Sequence, residues 1–197
     1  QEVWNELRHI IIIKKFLIAF FIYSSALQTV LIIATYFGEQ EIAWKEGTKT
    51  TGLIISILLI QLIAIVGAMF TAKISKKIGN IRTLLILNLI WAFLCIGAYF
   101  IKEPIEFYIA AGAVGLVMGG IQALSRSTFS KLIPDTDNTT SYFSFFDVSQ
   151  KVSIVLGMTL FAILDQTTGS MRISILIFVL IFLIGAFLLN KIKIKNV

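Results

Sequence analysis

Apolar residues in this chain come in six long runs, and nearly all charged residues collect in the short stretches between them. Crossing the hydrocarbon core of a bilayer takes about 20 apolar residues at helical rise, and a helix satisfies its own backbone amides there. Stretches 16–37, 52–72, 83–101, 104–124, 144–164 and 171–189 meet that length, so the pattern predicts an all-α membrane protein of six transmembrane helices. The short alternating segments of a membrane barrel are missing. Pro104 suits the first turn of the fourth helix, and Pro134-Asp135 breaks the chain before the fifth. Ahead of the first span, Val3, Leu7, Ile10 and Ile11 recur at helical spacing. That fits either an amphipathic surface helix or a simple extension of the span.

Composition agrees with a lipid solvent. The 197 residues are 57% hydrophobic and 14% charged, with a mean hydropathy of +0.91, which leaves too little polar surface to cover a water-soluble globule. Two prolines and no long polar linker favour one contiguous membrane domain over residues 1–197. The net charge of +6 does not point to nucleic acid, because the basic residues sit in short clusters between spans, facing anionic lipid. On one side of the six spans lie Arg8, Lys14, Lys15, Lys73, Lys76, Lys77, Arg82, Arg126, Lys131, Lys151, Lys191, Lys193 and Lys195; on the other lie Lys45, Lys49, Lys102 and Arg172. Thirteen against four predicts that the first side, with both termini, is cytoplasmic, in a multi-pass protein of the plasma or inner membrane. Counting acids as well, the two sides carry +8 and −2. The sequon-like Asn138-Thr139-Thr140 falls on the cytoplasmic side and reads as a chance match. One cysteine, Cys95, and one histidine, His9, provide neither a disulfide nor a metal site, and no cofactor is expected. The chain opens on Gln1 with no signal peptide, as a piece of something longer would.

Residues 16–101 and 104–189 each hold three spans in 86 residues, and three being odd, the second trio enters from the opposite side. Such 3+3 inverted repeats place binding sites at their interface. Polar groups within lipid are costly, so their distribution marks candidate cavity helices. The third and sixth spans have only Asn88 and Ser174 as main interruptions and read as lipid-facing. In the first span Ser24 and Gln28, and Ser25 and Thr29, are four apart beside Tyr23; the stripe fits a substrate cavity or interhelical hydrogen bonding. Gln61 in the second span and Gln122 in the fourth carry the same two readings. Gly112, with Gly115, Gly119 and Ala123 four apart, lets a neighbouring helix approach closely, as a static or a sliding contact. Arg126 is a snorkelling anchor or a ligand. Asp147 and Lys151 are spaced to pair on one helix face, as an interfacial decoration or as a cytoplasmic gate, with Gln150 between them.

At these residues the chain resembles the major facilitator superfamily, and within it the vacuolar amino-acid effluxer-like branch. The most specific stretch is Gly119-Gly120-Ile121-Gln122-Ala123-Leu124-Ser125-Arg126-Ser127, continuing through Phe129 and Leu132-Ile133-Pro134 to Phe145-Phe146-Asp147 and Lys151. Phe16 to Ala19 with Tyr23 and Gln28-Thr29, and Leu156-Gly157 with Thr168-Gly169-Ser170, are further matches. The resemblance implies the carboxyl-terminal six helices of a twelve-helix fold, with an absent amino-terminal half as partner. It also implies transport of a small solute, of the amino-acid class, by alternating access. The superfamily's loop motif survives in outline from Ala72 to Arg82, with Lys76 where an acid is usual. Ser25-Ala26 stand where Asp-Gly is typical and Met158 replaces a proline, so the coupling mechanism is not carried over. A non-transporting scaffold or receptor and a complete six-helix homodimeric carrier stay open as alternatives. An enzyme does not fit, since no nucleophile–base pair is in view.

Overall fold

The computed structural model describes the backbone of residues 2–134 and 139–192, with side chains from residue 11 onward. Six helices follow one another: α1 Glu2–Glu41, α2 Lys49–Ile78, α3 Asn80–Ala98, α4 Pro104–Leu132, α5 Thr139–Thr168 and α6 Met171–Asn190. Each is long and apolar enough to cross a membrane, and no strand occurs among the described residues. Helices α2, α4 and α5 run past the apolar stretches that announce them, because polar ends such as Lys73–Ile78 continue the backbone pattern after hydropathy has dropped. α1 is one unbroken helix of 40 residues, so the segment before the first span extends it. The side chains of Val3, Leu7 and Ile10 lie outside the described residues, as do Asn138 of the sequon and Asp135 of the Pro134-Asp135 break.

The helix ends have local causes. Gly79 takes a positive φ of 87°, which suits a residue without a Cβ, and its N–H closes α2 on the Ser75 carbonyl before α3 starts one residue later. Pro104 occupies the first turn of α4, where Glu103 and Glu106 form a capping box. Gly169, at φ 64°, ends α5 against the Asp165 carbonyl.

Packing follows a repeated scheme. α2 lies along α4 as α1 lies along α5; α1 also packs on α6 as α4 packs on α3; α2 touches α3 as α5 touches α6. Exchanging α1 with α4, α2 with α5 and α3 with α6 maps these neighbours onto one another, and leaves the α3–α6 and α1–α4 contacts in place. A 3+3 inverted repeat has this symmetry. α3 and α6 turn one face to each other, with α6 also against α1 and α3 also against α4, and Trp91 of α3 stacks on Phe182 of α6 at 5.7 Å. Asn88 and Ser174, the polar interruptions of these helices, are fully buried there, while Phe93 and Phe187 stay on the outer, exposed faces. α2 and α5 are the least enclosed helices, and α2 leaves Ile54, Leu58, Leu62, Ile65 and Met69 uncovered.

At the face opposite the basic clusters, Arg172 ties three helices together. Its Nε meets Glu41 at 2.6 Å, and its other nitrogens donate to the carbonyls of Tyr99 and Glu41. The guanidinium also lies over the Phe37 ring at 5.3 Å. Three charge-assisted bonds from a mostly covered guanidinium hold the ends of α1, α3 and α6 in register.

Candidate functional site

Three helices contribute polar side chains to one recess of about 280 Å³. α1 supplies Ser24 and Gln28, one turn apart; α4 supplies Gln122, Ser125 and Arg126; α5 supplies Gln150, with Phe20, Leu27, Ala123 and Phe146 completing the wall. Helical spacing of three or four residues places each set on a single face. Beneath the recess the Ser125 hydroxyl donates to the Ile121 carbonyl at 2.6 Å and is joined to the buried Tyr23 hydroxyl at 2.7 Å. Ser24 is joined to Ser153 of α5 at 3.2 Å, and Ser153 donates to the Gln150 carbonyl at 2.7 Å. These hydroxyls are committed to the protein. The carboxamides of Gln28, Gln122 and Gln150 are not: half-buried, they make no side-chain hydrogen bond among the described residues. Each offers two N–H donors and one acceptor to whatever fills the recess.

The polar stripe expected on α1 divides. Ser25 donates to the Ile22 carbonyl at 2.7 Å, and Thr29 is buried against α5, where a Cβ added to Gly157 would overlap its hydroxyl and the Ser25 carbonyl. One residue along a helix turns a side chain by about 100°, so Thr29 faces the α1–α5 contact beside the Ser25 carbonyl, while Gln28 and Ser24 line the recess, Ser24 also reaching Ser153 of α5. The Thr29 hydroxyl has no partner among the described residues. Gln61 is not brought to the recess either. It borders a separate hollow of about 460 Å³ with Leu31, Thr35, Ser56 and Met118, displaced toward the end of the bundle opposite the basic clusters.

Asp147 pairs across the helix contact and not along its own helix. Its carboxylate lies 3.7 Å from Arg126 of α4, and the Arg126 guanidinium also sits over the Phe143 ring at 5.5 Å. Lys151 is exposed and takes part in no ion pair among the described residues. The intrahelical Asp147–Lys151 pair expected from spacing is therefore replaced by Arg126–Asp147, because α4 presents its guanidinium to the same carboxylate.

Gly115 and Gly119 lie against the α2 backbone: a Cβ at either would overlap the Ile60 or the Ala64 carbonyl. Gly112 meets only the end of the Ile63 side chain, and Ala123 stands at the border between the polar recess and a second hollow on the basic side.

An aromatic cluster closes the basic end of the recess. Phe20 stacks on Phe146 at 4.1 Å, Phe146 on Phe129 at 4.8 Å, and Phe129 on Phe16 at 6.4 Å, with Tyr23 edge-on to Phe20 at 5.6 Å. Hydropathy alone does not set this cluster apart from the other apolar residues of its helices. Its visible signal is Phe16 and Phe20 one helical turn apart, facing Phe129 and Phe146 across two contacts.

The recess can bind by hydrogen bonds, with one guanidinium at its rim and no carboxylate in its wall. Among the described residues no three His, Cys, Asp or Glu side chains gather.

A profile of the family described as "Vacuole effluxer Atg22 like" matches residues 1–196. The chain is 29% identical over 174 residues to an uncharacterized MFS-type transporter, YxiO, of Bacillus subtilis, which is 88% of this chain and 39% of that protein. It is 31% identical over 170 residues to autophagy-related protein 22 of Eremothecium gossypii, 81% of this chain and 32% of that one. The protein of the same name from Vanderwaltozyma polyspora is 32% identical over 198 residues, 93% of this chain and 37% of that one. The chain thus spans 32% to 39% of the length of these relatives. With a family match over nearly every residue, and six apolar helices packed as two exchanged trios, the chain belongs to the vacuole effluxer Atg22-like family of major facilitator transporters.

Proposed function

We propose that this chain forms one wall of the solute pathway of a secondary active transporter, which moves a small solute of the amino-acid class by alternating access. A second six-helix half supplies the other wall. The observation that carries this reading is the recess between α1, α4 and α5, where Gln28, Gln122 and Gln150 present uncommitted carboxamides. Desolvating three amides inside an apolar bundle is costly unless something pairs with them, and a polar solute supplies that pairing. The Arg126 guanidinium at the rim suits a carboxylate, and the neutral remainder of the wall suits the rest of a small zwitterion. The location proposed is the cell membrane, with the basic face and both termini in the cytoplasm, following the asymmetry of lysine and arginine.

Gln28→Ala and Gln122→Ala test it in the full-length transporter. A lost hydrogen bond is worth about 1 kcal/mol, so each substitution should raise the apparent KM about fivefold with protein abundance unchanged. Reduced abundance with an unchanged KM would assign both residues to packing.

A further inference from the structure

On the basic side of the bundle, a hollow of about 580 Å³ opens between the end of α2, the start of α3 and the end of α4. It is separate from the solute recess, apart from the shared border at Ala123. α2 contributes Thr71 and Lys76, α3 contributes Asn80, and α4 contributes Ser127 and Lys131, while Ser75 of α2 lines the wall with its hydroxyl already donated to the Ala72 carbonyl at 3.0 Å; no carboxylate stands in the wall. Neither lysine takes part in an ion pair among the described residues. Asn80 is 4% exposed, and its side-chain nitrogen is a buried donor with no acceptor among the described residues. Asn80 is also the first residue of α3, which has no side-chain cap, so unpaired first-turn amides and the positive end of the helix add to the same corner. Lys73, Lys77 and Arg82 are exposed close by in the chain and reinforce the field.

Each of these features favours a negative charge, and together they make a pocket with two cations, an orphaned amide and a helix N-terminus. Its depth is informative. Lys76 and Lys131 lie beyond the apolar stretches 52–72 and 104–124, where the headgroup layer begins. Hydroxyl, amide and ammonium donors arranged around a concave wall match the several acceptor oxygens of a phosphate better than the single face of a carboxylate.

We propose that this pocket binds a phosphate-bearing anion, with the headgroup of an acidic phospholipid as the source that its depth favours and free phosphate as the other. An occupant there would bridge α2, α3 and α4 at their basic ends, on the helices flanking the Gly79 turn.

The test titrates the purified full-length protein in detergent with short-chain phosphatidylglycerol, short-chain phosphatidylcholine and inorganic phosphate, and reads thermal unfolding. Saturable stabilisation by phosphatidylglycerol exceeding that by phosphatidylcholine supports the site and assigns the lipid. Saturation by inorganic phosphate alone supports the site and assigns the free anion. A lysine near an anionic headgroup contributes about 1 kcal/mol, so Lys76→Gln and Lys131→Gln should each weaken binding about fivefold, and the double variant roughly 30-fold. Lys73→Gln/Lys77→Gln, outside the wall, should weaken it far less. Equal stabilisation by both lipids, no saturable effect of any of the three, or equal losses from the two lysine pairs would overturn the proposal. Since every readout is binding, a failed transport assay leaves the result intact.

Discussion

Arg126 and Asp147 face each other at 3.7 Å with both side chains partly in solvent, so the pair adds little to stability. A weak ion pair at the rim of a recess is better suited to changing partners than to holding helices together. If it serves the transport cycle, Arg126→Gln and Asp147→Asn should each lower kcat/KM about tenfold in the full-length protein, with thermal stability nearly unchanged. The exchanged pair Arg126→Asp/Asp147→Arg should recover part of that loss, and Lys151→Gln should be close to silent. Silent variants at both 126 and 147 would reduce the pair to surface decoration. The difference from the expected Asp147–Lys151 pair shows what spacing reports. Four residues along one helix is a contact visible in the sequence, whereas an arginine delivered by another helix is not. The same limit separates Ser24 from Ser25: the stripe was legible, but which half of it faced a hollow depended on where α5 lies. Ser125 stood in the matched stretch without its bond to Tyr23 being visible, and Ser153 gave no signal, because serines in membrane helices so often bond their own backbone, as both do here.

Between elements, the α2–α4 contact is set by absent side chains. Gly115 and Gly119 bring their backbone against Ile60 and Ala64, and Gly67 of α2 returns the approach against Leu116. This packing leaves no room for a larger residue. Gly119→Leu should lower the thermal midpoint by roughly 3 °C or more, as overpacking costs about 1–3 kcal/mol. Gly112→Ala should shift it little, because only the end of the Ile63 side chain must give way. Equal midpoints for both variants would mean that the helices separate freely at this face. Element existence was legible in full, since about 20 apolar residues in a row leave a chain few alternatives. Element ends were less so. Hydropathy falls at Lys73 while the helix continues to Ile78, because lysine tolerates a helix as well as most residues do and Gly79, not polarity, stops it.

For the molecule as a whole, the exchange of α1–α2–α3 with α4–α5–α6 explains why α2 and α5 are the least enclosed helices: they occupy equivalent places on either side of the α1–α4 contact. Equal trio lengths hinted at this symmetry; the neighbour scheme gives it a physical form. The proposed orientation has its own check. In a Cys95→Ser background, a cysteine replacing Lys45 should react with an impermeant maleimide in intact cells and one replacing Lys77 should not; the reverse pattern would invert the assignment. The central claim is that the recess between α1, α4 and α5 is one wall of a pathway whose other wall lies in a second six-helix half. Solute flux into liposomes tests this most directly, comparing the chain alone with the chain co-expressed with the amino-terminal half of its transporter. The account predicts no saturable flux above empty vesicles for the chain alone and its recovery with both halves. Robust saturable flux from the chain alone would contradict it and establish a complete six-helix carrier.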